Sequence, residues 1–274
     1  MKLHLGNKTS SIPFAKAVDL DGPSVVQNVG ALGSGRNQFL VEIARQAIQG
    51  GAGLIYVGWH SEPGIWASIY TAAEASNRQA ECFADVAGNK ELAPVSMDAI
   101  VNSGAILWCG PSALEVSALE ADVWSTEAIL DLSRAITARQ DRTRSIVLIL
   151  DGLIGGLQGL PAMLKPLVEN VVDLNLTLVV SDRDEFAHLH DDQVAAHATC
   201  RVFMYSISEP GNATFHRLLG DTHDLRALQA GEAIVARGPT ASQSVERVRL
   251  SWPGHSATHT IMRPANSLRP LASS

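Results

Sequence analysis

Cysteine is scarce in this chain, with Cys82, Cys109 and Cys200 alone among 274 residues. Their odd number and wide spacing argue against a disulfide framework and predict reduced core thiols in a cytoplasmic protein. Positive charge is also in deficit: 21 Lys and Arg stand against 28 Asp and Glu, a formal net charge of −7. That balance removes the global field with which nucleic-acid-binding proteins attract phosphate, so DNA binding is not supported by the net charge and any contact must be local. Long apolar runs are missing too. No segment approaches the ~20 apolar residues of a membrane helix, and the opening MKLHLGNKTS lacks the core of a signal peptide. No membrane span is expected. Aromatic residues make up 5% of the chain, and Trp59, Trp66, Trp108, Trp124 and Trp252 are scattered singly. They read as packing residues rather than base-stacking platforms.

What is present points to an α/β protein. Hydrophobic residues reach 46% and charged residues 18%, a balance that supports a large buried core. Apolar, β-branched runs recur at Ser24–Val29, Leu54–Val57, Ala105–Cys109, Ile146–Leu150, Leu176–Val180, Arg201–Ile207 and Glu232–Ala236. Helical patterns alternate with them, which predicts a mostly parallel sheet with helices on both faces. Phe39, Leu40, Ile43, Ala44, Ala47 and Ile48 recur at helical spacing before the stop signal Gly50-Gly51. Further helices are expected over Thr126–Arg139 and Pro161–Val172, the latter weakened by Pro166. Pro253–Ser274 lacks any period and is expected to be a flexible tail, dispensable for folding.

The segment GALGSGRN, residues 30–37, has the G-x-x-x-x-G-x-x spacing of a phosphate-binding P-loop. Such loops work because glycines let backbone N–H groups wrap phosphate, the helix N-terminus adds positive potential, a lysine reaches the outer phosphates and a hydroxyl holds Mg²⁺. Gly30, Gly33, Ser34 and Gly35 keep the wrapping part. Arg36 and Asn37 stand where the lysine and the hydroxyl belong, and a planar guanidinium on a longer stem does not place its charge as an ammonium does. The plainer alternative is an ordinary glycine-rich strand-to-helix turn. Asp151 closes the apolar strand IVLILD as a Walker B aspartate does, although an aspartate there can also cap the next helix. Gly152 follows it where a water-orienting glutamate is usual.

The histidine pairs His188/His190 and His255/His259, with His197 before Cys200, supply no set of three or four convergent ligands, so no metal site is expected. The run Gly110–Ala113 lacks the G-x-S-x-G pattern of a hydrolase nucleophile elbow.

In order, these segments resemble the nucleotide-binding domain of TraD/TraG-like type IV coupling proteins, the P-loop ATPases of bacterial conjugation and type IV secretion. The resemblance runs from about Leu3 to Leu250. It rests on GALGSGRNQFLVEIARQAIQGGAGLIYVG, on RSIVLILDGLIGGLQGLPAMLKPLVENVVDLNLTLVVSDRDEFAHL, and on CRVFMYSISEPGNATFHRLLGDTHDLRALQAGEAIVARG. It implies a RecA-like P-loop domain over residues 1–252, with a short insert near 71–102 in place of the inserted helical domain, followed by the tail 253–274. The family's sensor pair maps to Ser181 and Asp182, and its second-strand acidic motif to Gly58-Trp59-His60-Ser61-Glu62. Asp151 is thus the one catalytic position left unaltered.

The expectation that follows is a degenerate member of this group. It would act as a non-catalytic binding or regulatory component of a type IV secretion or conjugative DNA-transfer system, through protein partners or self-association. No cofactor is required on this reading, and weak ATP, ADP or phosphate binding is allowed. The location implied is cytoplasmic, reaching the inner membrane only through partners. Two alternatives stay open: a divergent ATPase with slow hydrolysis, helped by a glutamate such as Glu185, and a DNA- or cargo-binding module built on the same scaffold.

Overall fold

The strands with no polar alternation lie where both faces of a sheet are covered. In a computed structural model of the chain, which describes residues 1–8, 17–58, 63–78, 80–82, 97–109, 118–152, 160–186, 194–220, 223–238 and 244–250, they form the centre of one eleven-stranded sheet. The strands are β1 (Lys2–Lys8), β2 (Ala17–Asp21), β3 (Ser24–Gly30), β4 (Gly53–Gly58), β5 (Ala80–Cys82), β6 (Ile106–Cys109), β7 (Ile146–Asp151), β8 (Leu176–Arg183), β9 (Cys200–Met204), β10 (Glu232–Arg237) and β11 (Ser244–Arg249). Their order across the sheet is β2-β1-β11-β10-β9-β3-β8-β7-β4-β6-β5. From β9 to β5 every pairing is parallel, and from β9 through β10, β11 and β1 to β2 every pairing is antiparallel.

The helices are α1 (Arg36–Gln49), α2 (Pro63–Ala75), α3 (Met97–Ser103), α4 (Ala118–Ala138), α5 (Leu160–Val168), α6 (Val194–His197) and α7 (Glu209–Leu219). They cover both faces, as the sequence predicts. Phe39, Leu40, Ile43 and Ile48 of α1 and Ile65 and Ile69 of α2 pack with Val26, Tyr56 and Ile149 on one face. Ile129 and Leu132 of α4 and Leu164 and Leu167 of α5 pack with Val25, Leu148 and Leu178 on the other. Each fully buried Leu or Ile contributes roughly 2 kcal/mol by leaving water, so both faces are strongly held. A smaller cluster, Val29, Phe203, Phe215 and Ile234, seats α7 beside the antiparallel strands.

Boundaries differ from the sequence reading in instructive places. The helix expected from Thr126 begins at Ala118, since Ala-Leu-Glu-Ala is good helix-forming sequence ahead of the clear apolar period. The helix expected to run to Val172 stops at Val168, two residues past Pro166. The strand expected over Arg201–Ile207 ends at Met204, because the next residues turn to bind Asp184. Strand β11 carries Glu246, Arg247 and Arg249 where a strand pattern would carry apolar residues. It is held between β1 and β10 by ion pairs, including Arg247 with Glu232 at 2.6 Å and Arg237 with Glu246 at 3.1 Å. Within the stretch read as a short insert, β5 and α3 are a strand paired to β6 and a helix against α4.

Of the cysteines, Cys200 is buried and its thiol is pushed up to about 12 by that burial, so it is inert at ordinary pH. The tail 253–274, both histidine pairs, Gly110–Ala113, Trp252 and the stretch Trp59–Glu62 lie outside the described residues.

Candidate functional site

In a parallel sheet, ligands bind beyond the carboxyl ends of the strands, where the strand order reverses. Here β3 lies between β8 and β9, while the chain leaving it through α1 enters β4 beyond β7. The segment from Gly30 to Asn37 occupies that reversal.

Gly30 ends β3 and is tightly enclosed: a Cβ on it would lie 2.6 Å from the Ser34 hydroxyl oxygen and 2.8 Å from Met204 Cβ. Ala31 donates its N–H to Tyr205 at 2.8 Å, and Ser34 donates its own to Ala31 at 3.1 Å, which closes the loop. Ser34 is buried, with its hydroxyl on the Met204 sulfur. Gly33 and Gly35 have φ of +80° and +100°, conformations glycine adopts without the penalty a Cβ brings. These two turns leave the backbone N–H groups of Gly33, Gly35, Arg36 and Asn37 without an acceptor among the described residues. The first turn of α1 contains no acidic side chain to neutralise the positive end of the helix. The result is a concave set of donors suited to an anion. Leu32, at the loop's tip, is 86% exposed.

Strand register places the polar residues beneath it. Asn28 lies opposite Ser181, Ser181 opposite Asp151, and Asp151 opposite Gly58. This row crosses the sheet on the face that α1 covers. Asn28 donates to the Ser181 hydroxyl at 3.2 Å, and its Oδ1 is buried without a partner. Asp151 receives the Tyr56 hydroxyl at 2.8 Å on Oδ2 and the Arg36 guanidinium at 3.4 Å on Oδ1. Both members of the ion pair are largely buried, with 14% and 7% of their side chains exposed. The Nε and Nη1 atoms of Arg36 are buried and without partners among the described residues.

The structure therefore brings Arg36, Asp151 and Ser181 together and separates Asp182 from them. Consecutive strand residues face opposite ways, so Asp182 lies on the far face, where it accepts the Arg183 N–H at 2.8 Å. Asn37 is half-buried at the start of α1. Glu185 is exposed and pairs with Arg183 at 3.1 Å. Two residues of the site were not singled out from sequence, Asn28 and Tyr56. Their signal was a polar group inside strands that are otherwise apolar, since such groups are rarely buried without a task.

A magnesium ion does not fit this site as it stands. Mg²⁺ demands near-octahedral oxygen ligands at close range, yet both Asp151 oxygens are taken, one of them by a cation. Among the described residues no second carboxylate hydrogen-bonds to this row, and they contain no group of three or more His, Cys, Asp or Glu able to hold a metal. Tyr56→Phe is expected to lower stability by about 1.5 kcal/mol, the order of a hydrogen bond to a charged group, in a denaturant titration.

Fold and loop together define the class: a RecA-like P-loop α/β domain. No protein-family model matches the chain, and no curated protein does. Solved structures do. VirB4 of Thermoanaerobacter pseudethanolicus matches over 92% of this chain and 96% of its own at a TM-score of 0.67 and 9% identity. The genome packaging NTPase B204 from Sulfolobus turreted icosahedral virus 2, in complex with AMPPCP, matches over 85% of this chain and 100% of its own, with a TM-score of 0.56 and 11% identity. The cytoplasmic domain of the type VII secretion ATPase EccC from Thermomonospora curvata matches 92% of this chain with 26% of its own, at a TM-score of 0.56 and 14% identity. At such identities the likeness establishes a shared fold. Among the described residues no helix is long and apolar enough to cross a membrane.

Proposed function

We propose that this protein is a P-loop domain that has kept its scaffold and its anion-binding loop, has lost turnover, and serves as a binding or regulatory component of a secretion or DNA-transfer apparatus. The observation that carries the loss of turnover is the contact between Arg36 and Asp151, 3.4 Å apart and largely buried. The carboxylate that would position a metal is instead the counter-ion of the residue that replaced the P-loop lysine. Charge stabilisation by a metal and a lysine, and orientation of the attacking water, are the main contributions to phosphoryl transfer on this scaffold. All three are compromised here. Gly152 has φ +71°, so a glutamate at that position would carry backbone strain as well.

The apparatus is suggested by the scaffold's likeness to ATPases of secretion and genome packaging. Its finer form, a coupling-protein-like member of a type IV or conjugative system acting from the cytoplasmic side of the inner membrane, rests on the motif order in the sequence. The slow-ATPase alternative needs Asp151 released from Arg36. The DNA-binding alternative works against a net charge of −7.

Purified protein with Mg²⁺ and ATP is expected to release phosphate no faster than buffer. Steady turnover abolished by Asp151→Ala would overturn the non-catalytic reading. Deleting the gene from a strain that carries the complete apparatus is expected to lower transfer or secretion, and unchanged transfer and secretion would end the assignment to it.

A further inference from the structure

We propose that Arg36 is this protein's built-in substitute for the divalent cation of a P-loop, so that the loop takes a chain of two or more phosphates in metal-free form. The inference rests on reading the loop as an anion site without turnover.

Three observations meet at Arg36. Its Nη2 lies 3.4 Å from Asp151 Oδ1, on the carboxylate that would otherwise face a metal. A dication there would have to displace a guanidinium and then find ligands among Asn28, Ser181 and Asn37, which are neutral. The second observation is that Nε and Nη1 of the same guanidinium are buried with no partner among the described residues, although this group presents five donors in a fork suited to planar oxyanions. One nitrogen is engaged and two lack an acceptor there. The third is that Arg36 is the first residue of α1, directly after the loop whose N–H groups at Gly33, Gly35, Arg36 and Asn37 lack acceptors among the described residues. A turn of the guanidinium would bring Nε and Nη1 to an oxyanion held by those groups, so that backbone and side chain address the same charge.

The pair with Asp151 leaves the guanidinium free to turn without giving up the carboxylate. At 3.4 Å it is longer than a well-formed N–H···O bond, and a buried ion pair gains little net free energy over its separated, solvated members. Nη2 stays with Asp151, which also keeps its shorter bond from Tyr56 at 2.8 Å, while Nε and Nη1 turn toward phosphate, so the carboxylate is not freed for a metal. In a metal-dependent P-loop the cation neutralises phosphate charge and the aspartate orients the cation. Here a covalently attached cation does the first, and the aspartate holds it in place.

The test is calorimetric titration of the full chain with ATP and, separately, with inorganic tripolyphosphate, each in Mg²⁺ buffer and in EDTA. The expected result is binding in EDTA as tight as in Mg²⁺ to within about twofold, about 0.4 kcal/mol. Binding of both ligands assigns recognition to the phosphate chain, and binding of ATP alone adds the nucleoside to it. Arg36→Gln is expected to lose at least about tenfold of the EDTA affinity, with a melting curve confirming that it is folded. Arg36→Lys keeps the charge and loses the fork, and is expected to fall between the two. Affinity at least tenfold higher with Mg²⁺, no binding in either buffer, or an Arg36→Gln variant that binds as wild type in EDTA would each overturn the proposal. Turnover is not read in this experiment. Failure here leaves the non-catalytic reading standing, whereas phosphate release in the separate assay overturns that reading by a different measurement.

Discussion

Replacing Asp184 by alanine will destabilise the protein by about 3 kcal/mol, the largest effect expected of any single polar substitution here. Asp184 directly follows β8 and is buried. One carboxylate oxygen accepts the Ser206 hydroxyl at 2.8 Å, the Ser208 N–H at 3.0 Å and the Ile207 N–H at 3.2 Å. Those donors form the turn between β9 and α7, so one side chain fastens the end of a central strand to the helix that covers the antiparallel half. Ser208 in turn caps α7, accepting the Gly211 N–H at 3.1 Å. Alanine would leave three donors unsatisfied in a space where a Cβ on Gly211 would already lie 2.8 Å from Asp184 Cβ. Burial by itself would raise the Asp184 pKa, but the bonds from Ser208, Ser206 and Ile207 outweigh it and hold the pKa below the ordinary carboxylate value of 3.8. The contribution is therefore complete above the ordinary carboxylate range and fades as the pH falls through the depressed native value. Urea titrations across acid pH check both parts: Asp184→Asn should lose most of this pH dependence, and wild-type behaviour for Asp184→Ala would refute the account.

The second large effect is expected at Gly30. Gly30→Ala will cost about 2 kcal/mol, because an added Cβ would meet Ser34 Oγ at 2.6 Å and Met204 Cβ at 2.8 Å. Neither neighbour can give way cheaply. Ser34 is buried inside the loop, and Met204 Cβ is fixed by the backbone of β9, which pairs with β3 on one side and β10 on the other. Moving Ser34 would also disturb its N–H bond to Ala31, and with it the turn that exposes the Gly33 and Gly35 amides. The same substitution should therefore weaken phosphate binding together with stability. Gly22→Ala is the control for a glycine with free space around it, since a Cβ there meets nothing within 4 Å; its φ of +78° leaves backbone strain as the only cost. Equal melting temperatures for Gly30→Ala and wild type would show that the enclosure at Gly30 is not what shapes the loop.

Much of the central sheet was legible because its strands are buried on both faces. VVQNVG, LIYVG, IVLILD and LTLVVS are apolar without alternation, and the helix after the loop carries its apolar residues at regular spacing, so periodicity and the Gly50-Gly51 stop were enough. The antiparallel wing was harder. β11 reads SVERVR, and its charges are compatible with a strand only because Glu232, Arg237 and Lys8 on its neighbours are placed to meet them. The start of α7 was announced by Ser208-Glu209-Pro210, a capping residue with proline in the first turn.

At the site, the linear chain already carries the loop's glycines, the loss of the lysine and hydroxyl, and an aspartate ending a strand followed by glycine. Those are statements about residue type and spacing, which a linear chain carries in full. Only the tertiary structure decided what the survivors do. Arg36 and Asp151 are 115 residues apart in the chain, and nothing in either segment specifies that the guanidinium lies on the carboxylate. Parallel register placed Asn28, Ser181 and Asp151 side by side and sent Asp182 to the opposite face, a distinction made by the pleat of β8 and the pairing of three strands. Whether a substituted residue is a lost function or a rearranged one depends on which neighbours its atoms reach, and those distances exist only once the sheet has formed.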